Sequence, residues 1–168
     1  MGEKRLILGV DPGTRVTGYG IIALENHGYI PIDFGCIRPP ASHKLSDKYL
    51  VIFESVVQLI EIHAPSAVVV ETQYVHKNVQ SAIKLGMARG AVMIAAKKKG
   101  IPVFEYAPTK AKIAVVGTGR ASKVQVQGMV QRLLNLAKLP EPEDAADALA
   151  LAICHAQMPE FKVMNYEI

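Results

Sequence analysis

Apolar positions along the chain fall into two rhythms. Leu6–Val10 is a short apolar run closed by Asp11-Pro12-Gly13-Thr14, where Pro-Gly signals a turn. Thr17–Leu24 and Tyr29–Ile37 are the next strand candidates, and Asn26-His27-Gly28 between them reads as a hairpin loop. The chain therefore opens with three strands in an antiparallel meander. Leu45, Tyr49, Ile52, Phe53, Val56, Leu59, Ile60 and His63 then recur at spacings of three and four, which predicts a helix that Pro65 stops. Ala67–Val70 is a β-branched run without alternation, the signature of a central strand buried on both faces. A helix over Val79–Lys99 ends at Gly100, and a strand follows at Ile101–Phe104. Helices over Thr109–Val116, Ser122–Ala137 and Glu143–Gln157 complete the order. Three meander strands followed by αβαβ units predict an α/β fold: a mixed five-stranded sheet flanked by helices.

The chain has 168 residues, about one domain's worth, and no linker-like stretch divides it. Residues 1–158 are expected to form that domain, with 159–168 a short flexible tail. No purely apolar run, Ala91–Ala96 included, approaches the ~20 residues that span a bilayer, and no export signal precedes Asp11. Cys36 and Cys154 have no metal-type spacing and are expected to be free thiols. The reading is a cytoplasmic protein without membrane association.

Charge changes the picture. The formal net charge is +4, but residues 77–132 carry eleven bases and one acid, Glu105. That segment is +10, and the rest of the chain is −6. Such asymmetry suits a polyanionic partner, most economically nucleic acid.

The acids point to the chemistry. On a wheel of ~100° per residue, Asp144, Asp147, Leu151 and His155 share one stripe of about 80°. The rest of that helix is almost entirely Ala, Leu, Ile and Cys, which marks it as buried. Asp144 suits a first helical turn; Asp147 has no such excuse and needs a cation. Asp11 and Glu71 each close an apolar strand, where ligand sites of α/β sheets gather. If the last helix crosses that edge, four carboxylates converge. A hard divalent cation with oxygen ligands, Mg²⁺ or Mn²⁺, is the economical counter-ion. Two such ions ~4 Å apart are the usual device for phosphodiester hydrolysis. His155 reads as a satisfied core histidine.

Asp11-Pro-Gly-Thr-Arg-Val-Thr-Gly-Tyr-Gly20, Lys84-Leu-Gly-Met-Ala-Arg-Gly90 and Asp144-Ala-Ala-Asp-Ala-Leu-Ala150 together resemble the RuvC family of Holliday-junction resolvases. Phe104-Glu-Tyr-Ala107 and Val115-Val-Gly117 add to the likeness, which runs collinearly from Leu6 to His155. The resemblance implies a ribonuclease-H-like fold and a homodimer that nicks opposing strands of a four-way DNA junction. It implies that Asp11, Glu71, Asp144 and Asp147 are the catalytic, metal-binding carboxylates, with Mg²⁺ as cofactor and Mn²⁺ as substitute. It places Tyr74 near the junction centre and gives Lys112 and Lys123 roles in DNA contact or catalysis. It implies RuvA and RuvB branch-migration proteins as partners. Lys77, Lys84, Arg89 and Arg120 of the basic segment join the DNA-contact candidates.

Two rivals stand beside this reading. An actin- or sugar-kinase-type nucleotide-binding domain would use Asp11-Pro-Gly-Thr14 as a phosphate turn, yet there is no second lobe. Gly117-Thr-Gly-Arg-Ala-Ser-Lys123 also lacks the Walker pattern. A non-catalytic DNA-binding module explains the +10 segment but leaves the four acids unexplained.

Overall fold

The computed structural model describes residues 5–26, 28–72 and 78–168. Tyr74 and Lys77 lie outside the described residues. The strands are β1 (Arg5–Asp11), β2 (Thr17–Glu25), β3 (Gly28–Ile37), β4 (Ala67–Glu71) and β5 (Val103–Tyr106). They form one sheet in the order β3-β2-β1-β4-β5, antiparallel from β3 to β1 and parallel from β1 to β5. The mixed five-stranded sheet expected from the element order is present.

Alternation along the strands divides the core in two. Leu8, Val10, Val68 and Val70 point to a layer made by α1 (Leu45–His63) and α2 (Val79–Lys98). Ile7, Val69 and Phe104 point to the opposite layer, made by α3 (Pro108–Val116), α4 (Lys123–Leu133) and α5 (Glu143–Ala156). Local chemistry sets the helix ends. Ala64 adopts the left-handed conformation (φ 47°) just before Pro65 and ends α1. Asn78 caps α2 by accepting from the Ser81 N–H, and Ser122 with Gln125 forms a reciprocal capping box on α4.

The central helix α5 rests on glycine. Asp11 pairs with Gly18 and Gly9 with Gly20 across β1 and β2. A Cβ on Gly18 would lie 2.0 Å from the Asp144 carbonyl oxygen, and one on Gly9 would lie 2.0 Å from that of Ala148. One on Gly20 would meet Leu149 at 2.6 Å. The helix backbone thus lies directly on the sheet, and the alanines at 145, 148 and 152 are fully buried.

Two expectations are corrected. α4 ends at Leu133 rather than Ala137, because Asn135 takes the left-handed conformation (φ 50°) and turns the chain. The tail at 159–168, expected to be flexible, is folded. A short helix α6 (Glu160–Val163) and a 3₁₀ turn (Met164–Tyr166) carry it back to β5. Glu167 pairs with Phe104, the Ile168 N–H donates to the Val103 carbonyl at 2.9 Å, and Tyr166 stacks on Tyr106 at 4.8 Å. The cause is non-local: β5 is an edge strand whose open hydrogen-bonding groups the tail covers.

Candidate active site

β1 and β4 are parallel neighbours, so Asp11 and Glu71 emerge side by side at the same sheet edge. The turn after Asp11 is fixed by Thr17, fully buried, whose hydroxyl donates to the Gly13 carbonyl at 2.8 Å and accepts from the Gly13 N–H at 3.1 Å. α5, seated on its glycines, delivers Asp147 from above. Asp11, Glu71, Asp147, Lys112 and Lys123 line one cavity of about 310 Å³, with Pro108, Ala111, Val126, Ala150 and Leu151 completing its walls. Asp144 is not part of the lining; it stands one turn back on α5, where its charge still acts on Asp11 and Asp147. Thus Asp11, Glu71 and Asp147 line one cavity, while Asp144 lies outside its lining but close enough to act on Asp11 and Asp147.

The electrostatics are those of an under-compensated anionic pocket. Burial pushes the Asp11 carboxyl up to about 8, reinforced by the charges of Glu71, Asp147 and Asp144 against a modest pull from Lys123. Burial and Asp147 lift Glu71 to about 6, opposed by Lys112 and Lys123. Asp147 is also raised, chiefly by burial. Beyond burial, the carboxylates raise one another's pKa, so the acids act as a group. Among the described residues, no three carboxylate, imidazole or thiol groups stand close enough, as now arranged, to enclose a metal ion. The donor set is nonetheless all hard carboxylate oxygen, and its mutual repulsion favours a divalent cation.

Two contacts around the cavity escaped the sequence reading. Glu143 pairs with the Lys123 ammonium at 3.1 Å, both side chains being exposed. Thr17 locks the Asp11 turn. An acid in the first turn of α5 and a threonine four residues past the Pro-Gly turn were the available signals.

The pattern defining the family described as "Crossover junction endodeoxyribonuclease RuvC" matches residues 7–155. A protein of that description from Protochlamydia amoebophila is 71% identical over 167 residues, covering 99% of both chains. Another from Chlamydia muridarum is 52% identical, covering 94% of each. The chain belongs to the RuvC family. Thermus thermophilus RuvC superimposes with a TM-score of 0.83 at 32% identity, covering 96% of this chain and 98% of that one. The same RuvC in complex with a Holliday junction substrate gives a TM-score of 0.88 at 30% identity, covering 98% and 99%. The architecture is the ribonuclease-H-like fold of the RuvC family, as the resemblance implied.

The remaining basic candidates fall in different places on this RuvC fold. Lys112 and Lys123 face the acids. Arg120 is exposed in the α3–α4 loop, three residues before Lys123. Lys84 is exposed on α2, in the opposite helical layer. Arg89, expected to contact DNA, is half-buried and ion-paired with Glu105. Lys97 and Lys99 are paired with Glu167 and Glu61, and Lys98 lies over the Phe53 ring. Arg89 is therefore paired within the segment, and Lys97 and Lys99 are paired with acids from outside it. His155 is fully buried, bonded to the Tyr106 hydroxyl at 2.8 Å, and lowered to about 4 by burial and Arg5. It stands ~16 Å along α5 from Asp144, at the far end of the helix. It is a neutral core histidine, as expected.

Proposed function

We propose that this chain is a Mg²⁺-dependent endodeoxyribonuclease that resolves four-way DNA junctions by paired nicks, in the cytoplasm. The observation that carries the reading is the cavity where Asp11, Glu71 and Asp147 meet Lys112 and Lys123, at the sheet edge of a RuvC fold. Asp11, Glu71 and Asp147 would hold the ions, with Asp144 joining from outside the lining; Mn²⁺ has the same hard-oxygen preference. When bound, such ions supply the Lewis acidity that activates water and steadies the leaving oxygen.

The chain's own residues do the rest. Asp11 and Glu71 bind protons readily in the uncompensated pocket, so they hand protons over as cations enter. Lys112 and Lys123 offset charge developing on the scissile phosphate, and Glu143 pairs with Lys123. Arg120, Lys84, Tyr74 and Lys77 remain candidate DNA contacts. Because salt-dependent phosphate contacts carry little sequence information, the basic residues supply grip rather than base choice.

A two-fold junction calls for two identical sites at a fixed spacing, which a homodimer supplies. The apolar stripe Val79, Ile83, Met87 and Ile94 on α2, each more than half exposed, supports a second copy as its cover. RuvA and RuvB fit as partners that would deliver the junction.

The test is a labelled four-way junction with Mg²⁺, wild type against Asp147→Asn, binding and cleavage scored separately with linear duplex as control. Symmetric nicking by wild type, lost in the variant while junction binding survives, supports the reading. Junction binding without cleavage by either protein would overturn the nuclease in favour of a binding module.

A further inference from the structure

Two arginines outside the basic segment are left unused by the site described above. Arg15 sits in the turn between β1 and β2, and Arg38 directly follows β3. Both are exposed, and among the described residues neither forms an ion pair or a side-chain hydrogen bond. This contrasts with Arg89, Lys97 and Lys99, whose charges are taken up by acids.

Register places these arginines. β1 and β3 run the same way, each antiparallel to β2 between them. Asp11 pairs with Gly18 and Gly18 with Cys36, so the three stand in a row across the sheet at the active-site edge. Two strand spacings put the β3 end about 10 Å from Asp11, roughly the axial rise of three base steps of a duplex. The β2–β3 ladder opens at Thr17–Ile37. The next position outward on β3 is Arg38, and on the β2 side Val16 and then Arg15. The two arginines therefore flank the same end of one ladder.

Lys112 and Lys123 reach the acids from the helical layer. They come from α3 and α4, line the cavity and act on Glu71, whose strand neighbours β5, and on Asp147, and Lys123 acts on Asp11 as well. Arg38 acts instead on the Cys36 thiol, which also feels Asp144 and Asp11. At this edge the arginines thus flank the β2–β3 ladder, and the lysines reach the acids from α3 and α4.

We propose that Arg15 and Arg38 form a second phosphate-binding rim of the active site, opposite Lys112 and Lys123, so that the cleaved strand crosses the carboxylates between two cationic banks. The inference rests on the junction-cleaving reading. An acidic cleft repels a polyanion, and one cationic bank would hold the strand on one side only. Unpaired guanidinium groups are well suited to phosphate, since they present fixed bidentate donors. The charges that shift the Asp11 carboxyl are those of Glu71, Asp147, Asp144 and Lys123, not those of the two arginines.

The experiment compares wild type, Arg15→Gln/Arg38→Gln, Arg15→Lys/Arg38→Lys and Lys98→Gln. Binding of a labelled four-way junction in EDTA is followed from 50 to 200 mM salt, and single-turnover cleavage is followed in Mg²⁺. Two lost phosphate contacts should lower the slope of log affinity against log salt by about 2, narrowing the affinity change over that range about tenfold. The half-saturating enzyme concentration should rise at least tenfold at the higher salt, while the rate at saturation falls less than threefold. The Lys pair should restore the slope, and Lys98→Gln, at the far end of α2, should keep it. An unchanged slope in the Gln pair overturns the proposal, as does a loss that the Lys pair fails to restore. Failure of wild type to bind or cleave the junction overturns the underlying reading itself, a result separate from either variant outcome.

Discussion

Replacing Asp11 with Asn should stabilise the metal-free protein while abolishing its cleavage. The carboxyl is raised from 3.8 to about 8, first by burial and then by Glu71, Asp147 and Asp144. Between those two values the folded chain binds more protons than the unfolded chain, so stability falls as pH rises. The loss begins above the unfolded value, grows with pH and levels off near 8. Four units at 1.36 kcal/mol each set a ceiling of about 6 kcal/mol. Water reaches this half-buried group, and neighbouring acids can take up protons in its place. The expected gain for Asp11→Asn is therefore about 1–3 kcal/mol at pH 8. For a chain of this size that is a rise in melting temperature of roughly 2–12 °C. The assay is thermal unfolding in EDTA at pH 5, 7 and 8.5, with a parallel series in Mg²⁺. The gain should be smallest at pH 5, and Mg²⁺ should stabilise wild type more than the variant. An Asn variant that melts no higher than wild type at pH 8.5, or whose advantage ignores pH, would refute this account of the pocket.

Three further outcomes are expected. Calorimetric titration with Mg²⁺ at pH 7, repeated in buffers of different ionisation enthalpy, should reveal net proton release, because Asp11 is largely protonated there; no release would contradict the raised carboxyl. Gly18→Ala would set a methyl 2.0 Å from the Asp144 carbonyl oxygen, displacing α5. Cleavage should drop about a hundredfold with ~1–3 kcal/mol lost in denaturant unfolding, and a near-normal rate would show that the close seat is not needed. Lys112→Gln/Lys123→Gln should cut the single-turnover rate about a hundredfold with a smaller effect on junction affinity, and the reverse split would assign both lysines to binding alone.

The acids were legible because each breaks a pattern its neighbours keep. Asp11 and Glu71 terminate apolar strands, and Asp147 interrupts a helix whose alanines are otherwise buried. Parallel pairing of β1 and β4 then makes those strand ends neighbours, a step that topology rules supply. What stayed hidden depends on partners distant in sequence. Nothing local tells that Lys99 meets Glu61, that Arg89 meets Glu105 or that Lys98 covers Phe53, so the basic segment looked freer than it is. The tail escaped for the same reason. A four-residue helix carries little periodicity, and its stability comes from Tyr106 and the β5 edge rather than from its own sequence. Asp144 shares its stripe with Asp147 on the wheel, and its charge acts on Asp147 and Asp11, although only Asp147 lines the cavity.

The folded tail also bears on how copies of this chain can meet. An open strand edge invites a neighbouring molecule to add its own strand and extend the sheet indefinitely. Here Glu167 and Ile168 occupy that position on β5. At the opposite border, β3 carries Pro31 and runs beside a register irregularity at Ile21 and Ile22, which spoils a regular template. With both borders blunted, growth by strand addition is discouraged. The exposed apolar stripe of α2 then remains as the surface through which the proposed homodimer would form, a contact between helices that can close on itself.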